Sequence, residues 1–155
     1  MTKHIVLEHL RAAKTAHIKW VQKAKLLING VDISKDAIPV DPTECKFGKW
    51  FYSDGQILNA LSNNPLECMQ QIEMLHFNLH DTYLKIFTIL FSEEKKISFF
   101  AKFFGKKSTL SEKEKTLVKE YYSEIETISQ EFLDEINRLE RRLVAVSEEK
   151  IASLV

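Results

Sequence analysis

Four residues in this sequence are candidate ligands of one metal ion: His17, Cys45, His76 and His80. The pair His76 and His80 is spaced H-x-x-x-H, which on a helix places both imidazoles on one face, one turn apart. A third imidazole from His17 and the thiolate of Cys45 would complete a tetrahedron. The expected bonds are roughly 2.0–2.1 Å to nitrogen and about 2.3 Å to sulfur. The four residues therefore predict one zinc site.

The residues around these candidate ligands form three short motifs. In chain order they are His17-Ile-Lys-Trp20, Cys45-Lys-Phe-Gly-Lys-Trp50 and His76-Phe-Asn-Leu-His80. Together they resemble the H-x-x-W, C-x-x-G-x-W and H-x-x-x-H signatures of the chemoreceptor zinc-binding domain, a bacterial sensory family. The resemblance covers residues 10–91, which we interpret as the zinc-binding core. Its candidate ligands are separated by 28 residues from His17 to Cys45 and by 31 from Cys45 to His76.

The resemblance implies a zinc-dependent switch in bacterial signalling. Modules similar to this one are attached to chemoreceptors or diguanylate cyclases, where zinc occupancy or oxidation of the zinc-bound cysteine changes the output of a dimeric partner domain. Thiolate chemistry is compatible with such a switch, because oxidation of Cys45 to the sulfenic acid would remove one of four ligands. We therefore expect a homodimer and a signalling protein partner, in chemotaxis or in cyclic-di-GMP signalling.

The last third of the sequence departs from the usual pattern of this family. No cyclase or chemoreceptor signalling region is recognisable in these 155 residues, and a long helix over 110–150 takes its place. This helix could complete the bundle, mediate dimerisation or dock a partner. A second interpretation is therefore a helical adaptor with a purely structural zinc, whose function is partner binding through the C-terminal helix.

The composition favours one all-α domain over residues 1–155. Apolar residues make up 45% of the 155 residues, which is enough to bury a core without disulfide bonds. The 4 Gly and 3 Pro leave little room for a turn-rich β architecture. The 2 Cys are expected to be one metal ligand and one core residue, Cys68, because a reducing compartment disfavours disulfides.

Charge and hydropathy argue against two classes of partner. Residues 1–91 hold 10 Lys and Arg against 9 Asp and Glu, and residues 92–155 hold 12 against 13, so a basic surface for nucleic acid is not expected. No apolar run approaches the length of about 18 residues that a membrane span requires. The N-terminus lacks the apolar segment of a secretion signal. We predict a cytoplasmic protein without a membrane span.

Apolar periodicity predicts an antiparallel bundle of four to five helices. The first helix covers about 3–29, places His17 on its inward stripe and ends at Asn29-Gly30. Asp41-Pro42 predicts the start of a short helix with Cys45 in its first turns, where a helix N-terminus would lower the thiol pKa. Trp20 and Trp50 are expected to shield the zinc from water.

Three further helices follow. A short helix is expected from Ser53-Asp54-Gly55 to Leu61, and a long one over 65–91, capped by Asn63-Asn64-Pro65, should direct His76 and His80 inward. Ser111-x-x-Glu114 is a capping box that begins the long C-terminal helix, whose apolar seam is interrupted only by Ser129. The segment Ile97-Ser-Phe-Phe-Ala-Lys-Phe-Phe104 is expected to pack on the bundle, in preference to lying on a membrane.

The sequence carries no recognisable catalytic motif. Phosphate-binding loops, the G-x-S-x-G elbow and H-E-x-x-H are all absent from the sequence. A four-ligand shell also leaves no open position for a reacting water, which is typical of structural or regulatory zinc. A di-iron bundle would need more histidines and bridging carboxylates than these helices offer. We predict that the protein is not an enzyme.

Overall fold

The computed structural model describes residues 1–61, 65–92 and 110–154, and all regular secondary structure in those ranges is helical. The α-helices within those ranges are α1 (Lys3–Ile28), α2 (Lys46–Phe51), α3 (Pro65–Leu90), α4 (Glu112–Ala145) and α5 (Glu148–Ala152). Two short 3-10 helices lie at Lys35–Ala37 and Asp54–Ala60. The prediction of an all-α bundle with a long C-terminal helix is confirmed. The prediction that residues 1–155 form one domain stays a prediction.

Helix α4 packs against both α1 and α3, and it runs antiparallel to each of them. Along α1, Lys3 contacts Val144 whereas His17 contacts Ser129, so the partner residue numbers fall as those of α1 rise. Along α3, Glu67 pairs with Arg138 and Lys85 lies over the ring of Tyr121. The core is therefore the space enclosed by α1, α3 and α4.

The first helix has the boundaries and the buried face that its sequence predicts. Thr2 caps its N-terminus by accepting a hydrogen bond from the backbone N–H of Ile5. Gly30 follows the C-cap Asn29 with φ of 88°, a left-handed conformation that glycine adopts without a steric penalty. The residues buried along α1 recur every three or four positions: Val6, Leu10, Ala13, His17, Trp20 and Ala24.

The prediction that a helix begins at Asp41-Pro42 is wrong. The Asp41 carboxylate accepts hydrogen bonds from the backbone N–H and the hydroxyl of Thr43, at 2.8 and 2.7 Å, and so closes a turn. Helix α2 begins only at Lys46, and Cys45 is its N-cap. The Cys45 sulfur lies 3.2 Å from the backbone nitrogen of Gly48 and accepts its hydrogen bond. The candidate thiol ligand is therefore held directly by a helix terminus.

The C-terminal helix begins as predicted and ends earlier than predicted. Ser111 and Glu114 form the capping box at its start. Instead of continuing to residue 150, α4 ends at Ala145, because Ser147 accepts a hydrogen bond from the Lys150 N–H and starts the separate helix α5. The apolar seam of α4 is buried from Val118 to Leu143, with Ser129 inside it.

Several other predictions concern the connections between these helices. The short helix after Ser53 is confirmed as the 3-10 helix Asp54–Ala60, and α3 begins at Pro65. Asn63 and Asn64, predicted to cap α3, and the segment 97–104 lie outside the described residues. None of the described helices is long and apolar enough to cross a bilayer.

Candidate metal centre

Three of the four predicted ligands meet in the interior. His76 and His80 lie one turn apart on α3, and both imidazoles are buried with ring centroids 4.7 Å apart. Cys45 reaches them from the start of α2, where its sulfur lies 3.2 Å from Nε2 of His76. One potential ligand atom from each of the three residues lies within 4.8 Å of the others. The fold therefore assembles a buried Cys-His-His group from two separate elements.

The spacing of this group fits a single metal ion. Ligands on a tetrahedral zinc, with bonds of about 2.0–2.1 Å to nitrogen and about 2.3 Å to sulfur, lie roughly 3.3–3.6 Å apart. The separation of 3.2 Å between Cys45 Sγ and His76 Nε2 is close to that value. Sulfur and imidazole nitrogen are also the donor types that zinc binds best. The three ligand atoms, which lie within 4.8 Å of one another, would need to lie about 3.3–3.6 Å apart around a zinc ion.

The hydrogen bond of His80 determines which of its nitrogens can bind a metal. Nδ1 of His80 lies 2.7 Å from the backbone carbonyl oxygen of Val40. Because a carbonyl oxygen only accepts, Nδ1 carries the proton, and the lone pair of the neutral ring is on Nε2. A hydrogen bond from the second ring nitrogen to a backbone carbonyl is typical of metal-binding histidines.

His76 has much less polar support. Its Nε2 faces the Cys45 sulfur, and its Nδ1 is buried without a hydrogen-bond partner among the described residues. Buried polar atoms in native proteins are nearly always satisfied, so an unpaired ring nitrogen at this depth needs an explanation. If Nε2 binds a metal ion beside the thiol, the proton of the neutral ring lies on Nδ1, which then has no acceptor among the described residues.

His17 lies beside the three-residue group and not within it. Its ring is buried on α1 and packs against Phe132, with the centroids 4.4 Å apart. Its Nε2 lies 2.9 Å from the hydroxyl of Ser129, and it lines the same cleft as the other three candidate ligands. The structure thus brings together Cys45, His76 and His80, and the role of His17 as the fourth ligand stays a prediction.

Burial keeps the imidazoles neutral. It lowers the pKa of His17 to about 3, with a further decrease from the nearby His80. Burial likewise lowers the pKa of His76 to about 3, assisted by His80 and His17. Burial also lowers the pKa of His80, although its hydrogen bond to Val40 and the carboxylate of Asp41 oppose that change. All three rings are therefore in the unprotonated form that binds metal.

The expected lowering of the Cys45 pKa by the helix start is wrong. Burial raises the pKa of the thiol, and the backbone N–H groups of Gly48 and Phe47 only partly oppose it. Desolvation of the thiolate therefore outweighs the interaction with the short helix. A bound metal cation would supply the missing charge, because a coordinating thiol is deprotonated. A thiolate at this position would thus depend on a bound metal more than on the helix.

Aromatic rings enclose the candidate ligands, as expected for both tryptophans. The Trp20 ring packs on His80 with centroids 4.7 Å apart, and its Nε1 donates to the Pro39 carbonyl at 3.1 Å. Trp50 contacts the group only indirectly. It packs on Phe47, whose ring centroid lies 4.8 Å from that of His76. These rings restrict the rotation of both imidazoles and limit the access of water.

The sequence interpretation missed three residues of the centre: Val40, Phe132 and Ser129. Val40 acts through its backbone, which no side-chain pattern reveals. Phe132 fills one position of the apolar seam of α4, where any large apolar residue would satisfy the pattern. Ser129 carried a signal, because it is the only interruption of that seam. Its hydrogen-bond partner His17 lies 112 residues away in the sequence, so the interrupted seam alone does not identify this contact.

A cleft of about 710 Å³ leads to the centre. All four candidate ligands line it, together with one acidic and five basic side chains: Glu44, Arg11, Lys19, Lys23, Lys46 and Lys49. Cys45 lines this cleft and keeps 6% of its surface exposed.

The fold and this centre define a class, the helical bundles with a buried Cys-His-His group that could hold a metal ion. Residues 17–87 match the family model of the chemoreceptor zinc-binding domain. The resemblance to the chemoreceptor zinc-binding domain family that the three motifs predicted is thus confirmed over residues 17–87. The matched residues contain all four candidate ligands and end before α4. No curated protein and no solved structure matches the chain.

Proposed function

We propose that this protein is a zinc-binding sensory module of a bacterial signalling system. Its zinc would be held by Cys45, His76 and His80, with His17 as the fourth ligand. The observation that carries the proposal is the buried group of three ligand atoms within 4.8 Å of one another. The family match over residues 17–87 supports zinc as the metal. In this role zinc would stabilise the thiolate and join α2 to the bundle.

Sensing is favoured over a purely structural zinc by two features of Cys45. It caps a helix of only six residues, so loss of the thiolate ligand would release an element with little stability of its own. Its surroundings include a cleft through which an oxidant or a chelator reaches the sulfur. A zinc-bound thiolate remains nucleophilic, and its oxidation would remove one ligand. The stimulus would be the zinc level or an oxidant.

The remaining parts of the proposal concern partners and activity. We expect a homodimer that acts on a signalling protein in the cytoplasm, in chemotaxis or in cyclic-di-GMP signalling, without binding nucleic acid. We also expect no enzymatic reaction, because a four-ligand zinc has no position for a substrate. The competing proposal is an adaptor with a structural zinc, whose partner binds the exposed face of α4.

Metal content tests the proposed site. Untagged protein should purify with about one zinc per chain, and Cys45→Ser should lower its zinc affinity by at least tenfold, because a hydroxyl is a far weaker zinc ligand than a thiolate. The matched control is Cys68→Ser, since Cys68 is also buried but belongs to no ligand group among the described residues. A wild-type chain that takes up no zinc would exclude the proposal.

A brief exposure to oxidant separates sensing from a structural role. The zinc-loaded wild-type protein is treated with a small excess of peroxide or hypochlorite, and released zinc is measured with a chromophoric chelator. Release that a reductant reverses would support a sensor. Zinc retained through the exposure and during prolonged chelation would favour the adaptor.

A further inference from the structure

Ser129 is the point at which the C-terminal helix reaches the metal centre. Among the buried residues of α4, all of which the structure describes, it alone is polar. Its neighbours along the seam are Ile125 and Phe132, so its hydroxyl faces an apolar interior. A serine at such a position costs stability unless its hydroxyl is hydrogen-bonded. Its partner is Nε2 of His17, at 2.9 Å.

The contact connects a residue inside the family match to a residue outside it. His17 is the first residue of the matched segment 17–87, and Ser129 lies 42 residues beyond its end. Phe132, one turn further along α4, packs against the rings of His17 and His76 at 4.4 and 5.9 Å. Helix α4 therefore forms one wall of the centre, and Ser129 makes its polar contact there.

The position of the proton decides what this hydrogen bond can do. If the hydroxyl donates to Nε2, the proton of the neutral ring is on Nδ1, and neither nitrogen is left to bind an ion. If Nε2 donates to the hydroxyl, the lone pair is on Nδ1. Only the second arrangement allows His17 to ligate while it keeps its contact with Ser129. In His80 the roles of the two nitrogens are reversed: Nδ1 donates to the Val40 carbonyl oxygen, and the lone pair is on Nε2.

We propose that Ser129 is a positioning residue of the zinc centre, which accepts a hydrogen bond from Nε2–H of His17 and thereby presents Nδ1 as the fourth ligand atom. The inference rests on the proposed zinc-binding function and extends the centre beyond residues 17–87. It also gives α4 a direct connection to the metal. Any change at His17 on zinc binding or release is transmitted to α4 through this bond and through Phe132.

The test compares Ser129→Ala with Ser123→Ala in the full chain. Both replacements put the best helix former into α4, so both variants should fold, which circular dichroism checks. Ser123 is exposed on the same helix. Zinc affinity is measured by competition with a chromophoric chelator. Ser129→Ala should bind zinc at least about tenfold more weakly than wild type, as losses of outer hydrogen-bond partners do. Ser123→Ala should match wild type within twofold.

A second measurement follows the proton itself. Long-range ¹H–¹⁵N correlation spectra of the zinc-loaded wild-type protein report which His17 nitrogen is protonated. A proton on Nε2 supports the proposal, and a proton on Nδ1 overturns it. Unchanged or tighter zinc binding by Ser129→Ala also overturns it, whereas a wild type that binds no zinc refutes the proposed function first. A merely structural serine would change the unfolding temperature without changing the zinc affinity or the tautomer.

Discussion

Gly48 determines where the Cys45 thiol can lie. A Cβ atom at this position would be 1.8 Å from the carbonyl oxygen of Pro42, a backbone atom that cannot rotate away. Gly48→Ala must therefore displace the turn before Cys45 or the start of α2. We expect the free energy of unfolding to fall by about 1–3 kcal/mol, as for other overpacked sites. Zinc affinity, measured by chelator competition, should fall by at least about tenfold, because the sulfur moves with its helix.

Gly30→Ala is the matched control for this substitution. Gly30 has a left-handed φ of 88°, but nothing lies within 4 Å of the added Cβ. The variant should lose about 1 kcal/mol of stability from backbone conformation alone, without a change in zinc affinity. If both glycine variants bound zinc like the wild type, the close approach at Gly48 would have no role in metal binding.

The buried histidines make the stability of the metal-free chain depend on pH. The pKa of His17 and that of His76 are about 3 in the folded chain, against 6.5 without the effect of folding. Between these pH values the unfolded chain binds more protons than the folded chain. The contribution of these histidines to the free energy of unfolding is therefore fully present above pH 6.5 and is lost as the pH falls towards 3. Each histidine should contribute a loss of up to about 1.4 kcal/mol per pH unit.

Urea unfolding in the presence of a chelator measures this dependence. Titrations at pH 7.5, 6.0 and 5.0 should show a progressively lower free energy of unfolding. His76→Gln should give a shallower dependence of the unfolding free energy on pH than wild type, because it removes one buried imidazole. A wild-type stability that is constant from pH 7.5 to 5.0 would contradict the burial of neutral imidazoles.

At the scale of single residues, three of the four candidate ligands could be predicted to lie together, but their supporting contacts could not be predicted. The types and spacing of Cys45, His76 and His80 identified a group that the fold does bring together. The proton position on His80 depends on the Val40 carbonyl, and that on His17 depends on Ser129. Both contacts arise from how separate elements pack, and a sequence pattern contains no record of those distances.

At the scale of elements, the side chain of Lys3 caps the C-terminus of α4. Its ammonium donates hydrogen bonds to the carbonyl oxygens of Val144 and Val146, the second at 2.7 Å. A cation at a helix C-terminus satisfies carbonyls that have no partner within the helix and interacts favourably with the helix dipole. Lys3→Met should lower the free energy of unfolding by about 1–2 kcal/mol, since the site is only partly buried.

Chemical denaturation measures this loss, and Lys119→Met is its control because Lys119 is exposed in the first third of α4, away from the end that Lys3 contacts. That variant should unfold like the wild type within about 0.5 kcal/mol. Hydrogen exchange should show faster opening of the last turn of α4 in Lys3→Met only. Equal stability of the two variants would mean that water replaces the Lys3 ammonium at these carbonyls without cost.

Helix interiors were easier to predict than helix ends. The periodicity of α1, α3 and α4 is a sum over many buried residues, so it survives any single exception. The ends depend instead on competition between individual caps. Asp41 bonds Thr43 and closes a turn, and Ser147 starts α5 where α4 was expected to continue. Such competition is decided by local geometry, which the order of residue types does not fix.

At the scale of the whole molecule, the sequence predicted the bundle but left the place of its longest helix open. The seam of α4 is compatible with packing inside one chain or between two chains, because both would bury the same stripe. In the structure this stripe packs on α1 and α3 of the same chain. A dimer would therefore need a different surface, since the seam is already buried.

Such a surface is available on α3. Met74, Phe77 and Leu84 lie at helical spacing on its outer face, where the exposed Asp81 separates Phe77 from Leu84, and the three apolar side chains are 50%, 41% and 46% exposed. Large apolar side chains grouped in this way often mark protein interfaces. We predict that the zinc-loaded protein is a homodimer in sedimentation equilibrium. Phe77→Lys replaces an apolar side chain of this face with a charge, and it should raise the dimer dissociation constant by at least about tenfold.

The control places the same charge elsewhere. Leu26 is 48% exposed on α1, so Leu26→Lys should tolerate the lysine and leave the dimer intact. Both variants should retain about one zinc per chain, because neither residue belongs to the ligand group. A monomeric wild type would contradict the prediction of a homodimer, and a dimer that survives Phe77→Lys would place its interface away from α3. Loss of the dimer in Phe77→Lys alone would put the interface on the helix that carries His76 and His80, so that zinc and the partner copy would act on the same element.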